Sequence, residues 1–399
     1  MSKEESKIRR RCLSLAPFNV TLLLDKLTPT QLKNLSNHKY SSSGKSLLEP
    51  FYDPWWNFAI TLCPLWIAPN MITFIGLLAN LSSFVFMFSY CGLDGSGVAP
   101  SWVFYYAAFS LFFYQTMDAI DGKQARRTGT GSPLGELFDH GMDTIANCFF
   151  LPMIIMATNC AEEQEKAYFL SYLCFFVYYF SHSLQYITGT LTFGLIDITE
   201  IQTSTIGLLL MTGLMGQEHW AEASPIPGLS NRDTVVYGSA CICFFALTRM
   251  FLLLSKGGCG PNGSSCAGTS ILSPFPSILL IIGLGIVVGN KTGLAQQYPV
   301  AFIFYISMLC AKTGHKLVVA QLTKASLRLA DPCLWSICLL GFNQYVGDLL
   351  PPNWLFAALS VYAIIDLARY CIRVYTQIAE FLKIRVLTIP KENQKLKSQ

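Results

Sequence analysis

The chain has 399 residues, of which 52% are hydrophobic and only 13% are charged, with a formal net charge of +4 at pH 7. This composition is too apolar for a soluble domain of this length, and the small positive excess gives no support to nucleic-acid binding. The 14 cysteines form no CxxC pair, so a zinc site or a disulfide framework is not expected. We therefore predict an all-α, polytopic membrane protein.

Ten apolar segments are each long enough to cross a hydrocarbon core of about 30 Å as a helix. The predicted spans are residues 69–91, 100–120, 140–160, 167–190, 201–217, 234–255, 274–290, 299–320, 332–347 and 353–376. The sequence thus predicts a bundle of about ten transmembrane helices with short connections.

Residues 28–68 precede the first span and are too polar to cross a membrane, but they contain a cluster of aromatic side chains at 51, 52, 55 and 56. Tyr and Trp rings favour the headgroup layer, so we predict amphipathic helices lying in the interface there. A plain linker is the alternative. Residues 1–27 and 377–399 are predicted to be basic tails, the first of them disordered and not a cleaved signal peptide.

The distribution of basic residues sets the expected orientation. An even number of spans places both termini on one side, and both termini are rich in Lys and Arg. Because positively charged loops stay in the cytosol, we predict cytosolic termini and a cytosolic position for residues 118–143.

Residues 118–143 concentrate four aspartates between two apolar spans. Asp118 and Asp121 are three residues apart at the end of one predicted helix, and Asp139 and Asp143 are four apart at the start of the next. Each pair projects on one helical face, and a short loop returns the second helix beside the first. The two faces are therefore predicted to meet.

Four neighbouring carboxylates repel one another unless cations neutralise them. Ligands made only of oxygen favour hard ions, so we predict Mg²⁺ (or Mn²⁺), with two ions per site. The competing interpretation is that the aspartates only cap helices or pair with nearby Arg and Lys side chains.

Small and cationic residues near the aspartates suit a phosphate ligand. Gly122 and Ala125 present little bulk where a diphosphate would approach the metals. Arg126 offers a planar cation for phosphate, and Gly135 lets the second helix pack closely. We therefore predict a metal and phosphate site at the membrane surface.

These residues follow the spacing D-x2-D-G-x2-A-R-x8-G-x3-D-x3-D over positions 118–143. That pattern resembles, at all eight fixed positions, the signature of the CDP-alcohol phosphotransferases. Longer segments, among them WIAPNMITFIGL (66–77) and DITEIQ (197–202), resemble the eukaryotic choline and ethanolamine phosphotransferases. The resemblance covers nearly the whole chain after about residue 28.

The resemblance implies a homodimeric enzyme that transfers phosphocholine or phosphoethanolamine from CDP-choline or CDP-ethanolamine to diacylglycerol, a membrane lipid, and releases CMP. It implies a catalytic unit at residues 69–217, followed by C-terminal transmembrane helices at 218–376. It also implies residence in the endoplasmic reticulum membrane, with the Golgi or nuclear envelope as alternatives. By position, the metal ligands are Asp118, Asp121, Asp139 and Asp143, and the CDP-binding residues are Asn70, Gly122, Ala125, Arg126 and Gly135.

The general base that accepts the diacylglycerol hydroxyl proton stays open between three residues. The family motif points to Asp143, whereas the subfamily resemblance points to His140 and Glu200. We favour His140 assisted by Glu200, because an imidazole is a suitable proton acceptor near neutral pH. Structural roles are the alternatives for both, and His182 is equally compatible with a core position and with the wall of a choline pocket.

Two rival functions are weighed against this interpretation. A CDP-alcohol phosphotransferase with another acceptor, such as inositol or glycerol phosphate, would need only about six spans. An ion-coupled transporter should carry its carboxylates near the bilayer midplane, not at one interface. Choline and ethanolamine donors are not distinguished, since aromatic residues on the fourth predicted span are as typical of packing as of a cation-π cage.

Overall fold

The computed structural model describes residues 26–329 and 331–389, and this part of the chain is almost wholly helical. Its α-helices are α1 (Pro29–Ser36), α2 (Glu49–Leu62), α3 (Pro69–Cys91), α4 (Ser101–Thr128), α5 (Pro133–Ala157), α6 (Gln164–Thr188), α7 (Ile198–Met215), α8 (Asn231–Leu254), α9 (Phe275–Thr292), α10 (Leu294–Gln297), α11 (Pro299–Thr323), α12 (Pro332–Tyr345) and α13 (Pro352–Leu382). Two short parallel strands, β1 (Ser42–Ser43) and β2 (Leu191–Thr192), pair with each other.

Each of the ten predicted spans corresponds to one of these helices. Six helices are long and apolar enough to cross a membrane by length and composition, namely α3, α5, α8, α9, α11 and α13. The predicted fold class, an all-α polytopic membrane protein, is confirmed, while the number of ten spans stays a prediction.

Local sequence explains where the site-bearing helices begin and end. Helix α5 starts at Pro133, whose missing N–H costs nothing in a first turn, and the Ser132 hydroxyl accepts a hydrogen bond from the Gly135 amide. Helix α4 ends where Gly129 adopts a left-handed conformation with φ of 65°. The chain therefore turns back within four residues, and α3 packs against both α4 and α5.

Helices α5 and α11 lie at the centre of the bundle. Most of their apolar stretches are buried inside the protein, whereas most of α8 is exposed along its apolar stretch. A peripheral helix that is apolar and exposed is typical of a lipid-facing helix. The core therefore surrounds α5, the helix that carries Asp139 and Asp143.

The segment before the first span contains the two helices expected there, α1 and α2. The Lys123 ammonium group of α4 bonds Asp53 at 3.1 Å and Asn57 at 2.8 Å, both on α2. Helix α2 leaves large apolar side chains exposed, including Phe51 at 76%. An exposed apolar face suits a helix lying in the headgroup layer, and that location stays a prediction.

The C-terminal helix is longer than predicted. Helix α13 continues to Leu382 and does not end near residue 376. The chain then returns to the start of α3, where Thr388 forms an antiparallel bridge with Ile67. The first residues predicted as a C-terminal tail are thus ordered against the bundle. The predicted tails at residues 1–25 and 390–399 lie outside the described residues.

Candidate metal and substrate site

The structure brings the four predicted aspartates together between α4 and α5. Carboxylate oxygens of Asp118, Asp121 and Asp139 all lie within 4.8 Å of one another. Asp143 lines the same cavity as Asp118 and Asp139. The two helical faces that carry the aspartates therefore meet, as predicted.

This donor set fits a hard divalent cation. Three carboxylate oxygens this close repel one another unless a proton or a cation lies among them. One oxygen of Asp118, Oδ1, is buried with no hydrogen-bond partner in the described part of the chain. Oxygen atoms alone surround the position, as Mg²⁺ and Mn²⁺ prefer.

Two residues that the sequence analysis missed fix these carboxylates. The Thr73 hydroxyl of α3 donates a hydrogen bond to Oδ2 of Asp121. The Tyr114 hydroxyl of α4 donates to Oδ1 of Asp143 at 2.6 Å. Such outer contacts orient metal ligands. Tyr114 lies one turn before Asp118, so helical spacing could have indicated it, but no sequence signal pointed to Thr73.

The predicted CDP-binding residues lie at the C-terminal end of α4, the N-terminal end of α5 and the start of α3. A Cβ atom on Gly122 would lie 3.7 Å from the Arg126 guanidinium, and one on Gly135 would lie 3.7 Å from Oδ1 of Asn70. Arg126 is exposed and has no hydrogen bond or ion pair with another described residue. Ala125 is half-buried on the same turn. Small residues and one exposed cation thus lie at the ends of the helices that carry the aspartates.

His140 is 5% exposed and faces the same cavity as Asp118, Asp139 and Asp143. Its Nδ1 atom has no hydrogen-bond partner among the described residues. Its ring lies 5.4 Å from that of His182, which packs edge-on against Tyr178 at 4.7 Å. The imidazole is thus held by packing at the edge of the cavity, and its Nδ1 atom is buried without a partner among the described residues.

Glu200 borders this cavity but is occupied by backbone contacts. Its Oε1 accepts from the Leu48 amide at 2.7 Å, and its Oε2 accepts from the Asp197 amide at 2.8 Å. The second bond belongs to a capping box at the start of α7. Glu200 therefore fastens the residue before α2 to the start of α7, a role closer to the structural alternative than to a free base.

The cavity has a volume of about 700 Å³ and joins two different environments. One end carries the carboxylates, His140 and Tyr40, whose ring lies 6.4 Å from that of His140. The rest is mainly apolar and is bordered by α5, α6, α7 and α8 through residues such as Phe150, Leu170, Leu208, Ile242 and Met250. A lipid chain and a polar group fit the same space.

The connection between α6 and α7 closes one side of the cavity. Asp197 accepts hydrogen bonds from the amides of Gly194 and Ile198. Burial raises the pKa of Asp197, and these amides together with the charge of Arg249 act in the opposite direction. Arg249 of α8 also donates to the carbonyl oxygen of Thr192 at 2.5 Å. The segment between α6 and α7 is thereby anchored across the cavity.

Comparison with known proteins gives consistent matches. Residues 66–221 match the family model of the CDP-alcohol phosphatidyltransferases. Cholinephosphotransferase 1 of Xenopus laevis is 39% identical over 365 residues, 91% of this chain and 90% of that protein. Cholinephosphotransferase 1 of Homo sapiens is 35% identical over 373 residues, 93% and 92% of the two chains. An uncharacterised class-I protein of Dictyostelium discoideum is 28% identical over 90% of this chain and 87% of its own length.

Proposed function

This chain belongs to the CDP-alcohol phosphatidyltransferase family, and from that premise we propose that it transfers phosphocholine from CDP-choline to diacylglycerol, giving phosphatidylcholine and CMP. We extend the proposal to CDP-ethanolamine as a second donor. We also propose a homodimer in the endoplasmic reticulum membrane with its active site facing the cytosol.

The observation that carries the proposal is the cavity that joins the carboxylate cluster to an apolar interior. A nucleotide diphosphate is water-soluble and anionic, whereas diacylglycerol is confined to the bilayer. A site at which an exposed Arg126 and four aspartates meet an apolar chamber supports a reaction between these two classes of substrate.

We propose that Asp118, Asp121, Asp139 and Asp143 hold two Mg²⁺ or Mn²⁺ ions. When bound, these ions supply positive charge to the diphosphate and to the departing CMP. Thr73 and Tyr114 hold two of the carboxylates in fixed orientations through their hydroxyl groups. The donor's phosphates then meet Arg126, whose guanidinium has no competing ion pair among the described residues.

Small residues beside this cation make room for the donor. Gly122 and Gly135 each have only ordinary contacts where a side chain would begin, so phosphate oxygens can approach the backbone closely. Ala125, about one turn further along α4, also has a small side chain. Asn70 donates through Nδ2 to the carbonyl oxygen of Val386 at 2.9 Å, which keeps its Oδ1 directed toward Gly135.

We propose His140 as the general base. The hydroxyl oxygen of diacylglycerol forms a bond to the β-phosphorus, the bond from that phosphorus to the bridging oxygen breaks, and CMP leaves with that oxygen. The hydroxyl proton passes to the imidazole of His140, which borders the cavity beside the carboxylates. Asp143, which already accepts from Tyr114, remains a ligand and the rival base. Glu200 assists by fixing the segment around Leu48.

The test uses membranes from cells that lack endogenous activity, expressing the wild-type chain, Asp121→Asn or Asp94→Asn. Labelled CDP-choline and CDP-ethanolamine are supplied separately with diacylglycerol and Mg²⁺. We expect labelled lipid and CMP from the wild type and from Asp94→Asn, whose aspartate is in an exposed loop, and none from Asp121→Asn. No lipid from either donor in folded wild-type protein would overturn the proposal, and lipid from CDP-choline alone would remove its ethanolamine part.

A further inference from the structure

Two asparagines border the cavity without any partner to satisfy their amide groups. Asn80 of α3 is 1% exposed, and both Nδ2 and Oδ1 lack a hydrogen-bond partner within the described chain. Asn147 of α5 is half-buried and likewise makes no hydrogen bond to another described residue. Both line the same cavity as the carboxylates.

An unpaired amide in this position is costly. A buried polar group without a hydrogen bond costs about 1–3 kcal/mol, and a bilayer offers no water to replace the missing partner. The buried Asn80 amide, with the half-buried amide of Asn147 on the same cavity, is therefore best explained by a polar ligand that fills it. Ser110 and Ser171 also carry unpartnered hydroxyls, but neither borders the cavity, and hydroxyls readily turn toward their own helix backbone.

The depth of the two asparagines identifies the part of the ligand that they meet. Asn147 follows Asp143 by four residues and Asp139 by eight, on the same face of α5. It therefore lies about 12 Å deeper along the helix than Asp139. Asn80 follows Thr73 by seven residues, two turns deeper along α3, and Thr73 contacts Asp121. Helices α3 and α5 both run inward from the carboxylates, so the two amides lie at a similar depth below them.

The cavity wall becomes apolar beyond this depth. Phe150, Leu151 and Ile154 continue the same wall of α5. A ligand here thus has a polar group level with the asparagines, a reacting group nearer the carboxylates and apolar chains further in. Diacylglycerol has this order: the hydroxyl, then two ester carbonyls, then two acyl chains.

We propose that Asn80 and Asn147 donate hydrogen bonds to the ester carbonyls of the acceptor lipid, and that they make the enzyme selective for diacylglycerols over dialkylglycerols, which lack both carbonyls. This inference rests on the proposed transferase function. A carboxamide suits the task, because its NH2 group donates to a carbonyl oxygen and carries no charge into the bilayer. The hydrogen bonds also fix how deeply the glycerol enters, which sets the hydroxyl beside His140.

The test compares two acceptors with matched chains, a 1,2-diacylglycerol and the corresponding 1,2-dialkylglycerol, which lacks both carbonyls. We measure kcat/KM for each with CDP-choline, using the wild type, Asn80→Leu, Asn147→Leu and the control Ser110→Ala. The wild type and Ser110→Ala should prefer the diester by about fivefold or more. Each leucine variant should lose activity with the diester, keep it with the diether and so lower the ratio.

Several outcomes would overturn the inference. Equal use of both acceptors by the wild type would show that the carbonyls are not recognised, and this measurement needs no variant to fold. Equal losses with both acceptors in a leucine variant would assign its asparagine to packing alone. If the wild type used neither acceptor, the proposed transferase function would fail instead.

Discussion

Tyr114 donates its hydroxyl hydrogen to Oδ1 of Asp143 at 2.6 Å, and this bond joins the two helices that carry the aspartates. Tyr114 is almost completely buried on α4, and Asp143 lies nearly three turns into α5 on its cavity side. A single rigid ring thereby sets where the fourth carboxylate lies relative to Asp118.

Replacing Tyr114 by Phe keeps the ring and removes the donor. We expect the activity to fall about fivefold to tenfold and the Mg²⁺ concentration at half-maximal rate to rise about tenfold, because outer hydrogen bonds orient metal ligands. The measurement is a Mg²⁺ titration of phosphatidylcholine synthesis. Tyr305→Phe is the matched control, since its hydroxyl bonds Ser336 at 2.8 Å outside the site. An unchanged Mg²⁺ titration for Tyr114→Phe would contradict this role.

The metal itself should be required for activity and should bind in a way that depends on the aspartates. We expect a chelator to abolish lipid synthesis and either Mg²⁺ or Mn²⁺ to restore it, because the donor set contains only oxygen. Mn²⁺ binding by electron paramagnetic resonance should be strong in the wild type, weak in Asp118→Asn and unchanged in Asp94→Asn. Full activity in the chelated enzyme would refute the metal assignment.

The roles proposed for His140 and Glu200 predict different defects. His140→Ala should lower kcat by about a hundredfold or more, while the Mg²⁺-dependent gain in thermal stability stays as in the wild type. Glu200→Gln places an NH2 group against one of two amide donors, so it should lower the melting temperature together with the activity. Near-normal turnover in His140→Ala would return the base to Asp143.

The helix bearing His140 is supported from behind by the C-terminal helices. A Cβ atom on Gly141 would overlap Nε2 of His315 on α11 and the hydroxyl oxygen of Tyr375 on α13. Gly141→Ala should therefore displace α5 at His140, cost about 1–3 kcal/mol of stability and remove most of the activity.

A second glycine variant distinguishes the effect of this overlap from the effect of helix propensity. Gly283 lies in α9, and a Cβ atom added there would have no neighbouring atom within 4 Å. Gly283→Ala should therefore be neutral or stabilising. Adding Tyr375→Phe to Gly141→Ala removes one overlapping atom and should recover part of the activity. Equal activity and melting temperature for the two single glycine variants would show that α5 tolerates the side chain.

The sequence by itself determined the fold class and the placement of four carboxylates on two neighbouring helical segments. Long apolar segments leave few alternatives to helices in a bilayer, and the spacing of Asp118, Asp121, Asp139 and Asp143 fixes which helical faces carry carboxylates. Both are local properties of the chain, so they were predictable without coordinates. The proposed binding of a cation and of phosphate was inferred from the same short stretch of sequence.

Only the tertiary structure decided which distant residues complete the site. Thr73 reaches Asp121 across 48 residues of sequence, and Glu200 reaches the Leu48 amide across 152. Such contacts depend on the depth and rotation at which helices pack, which are set by the shapes of many side chains together. For this reason the same structure revealed the two unpaired asparagines below the carboxylates, whose place beside the cavity no local pattern encodes.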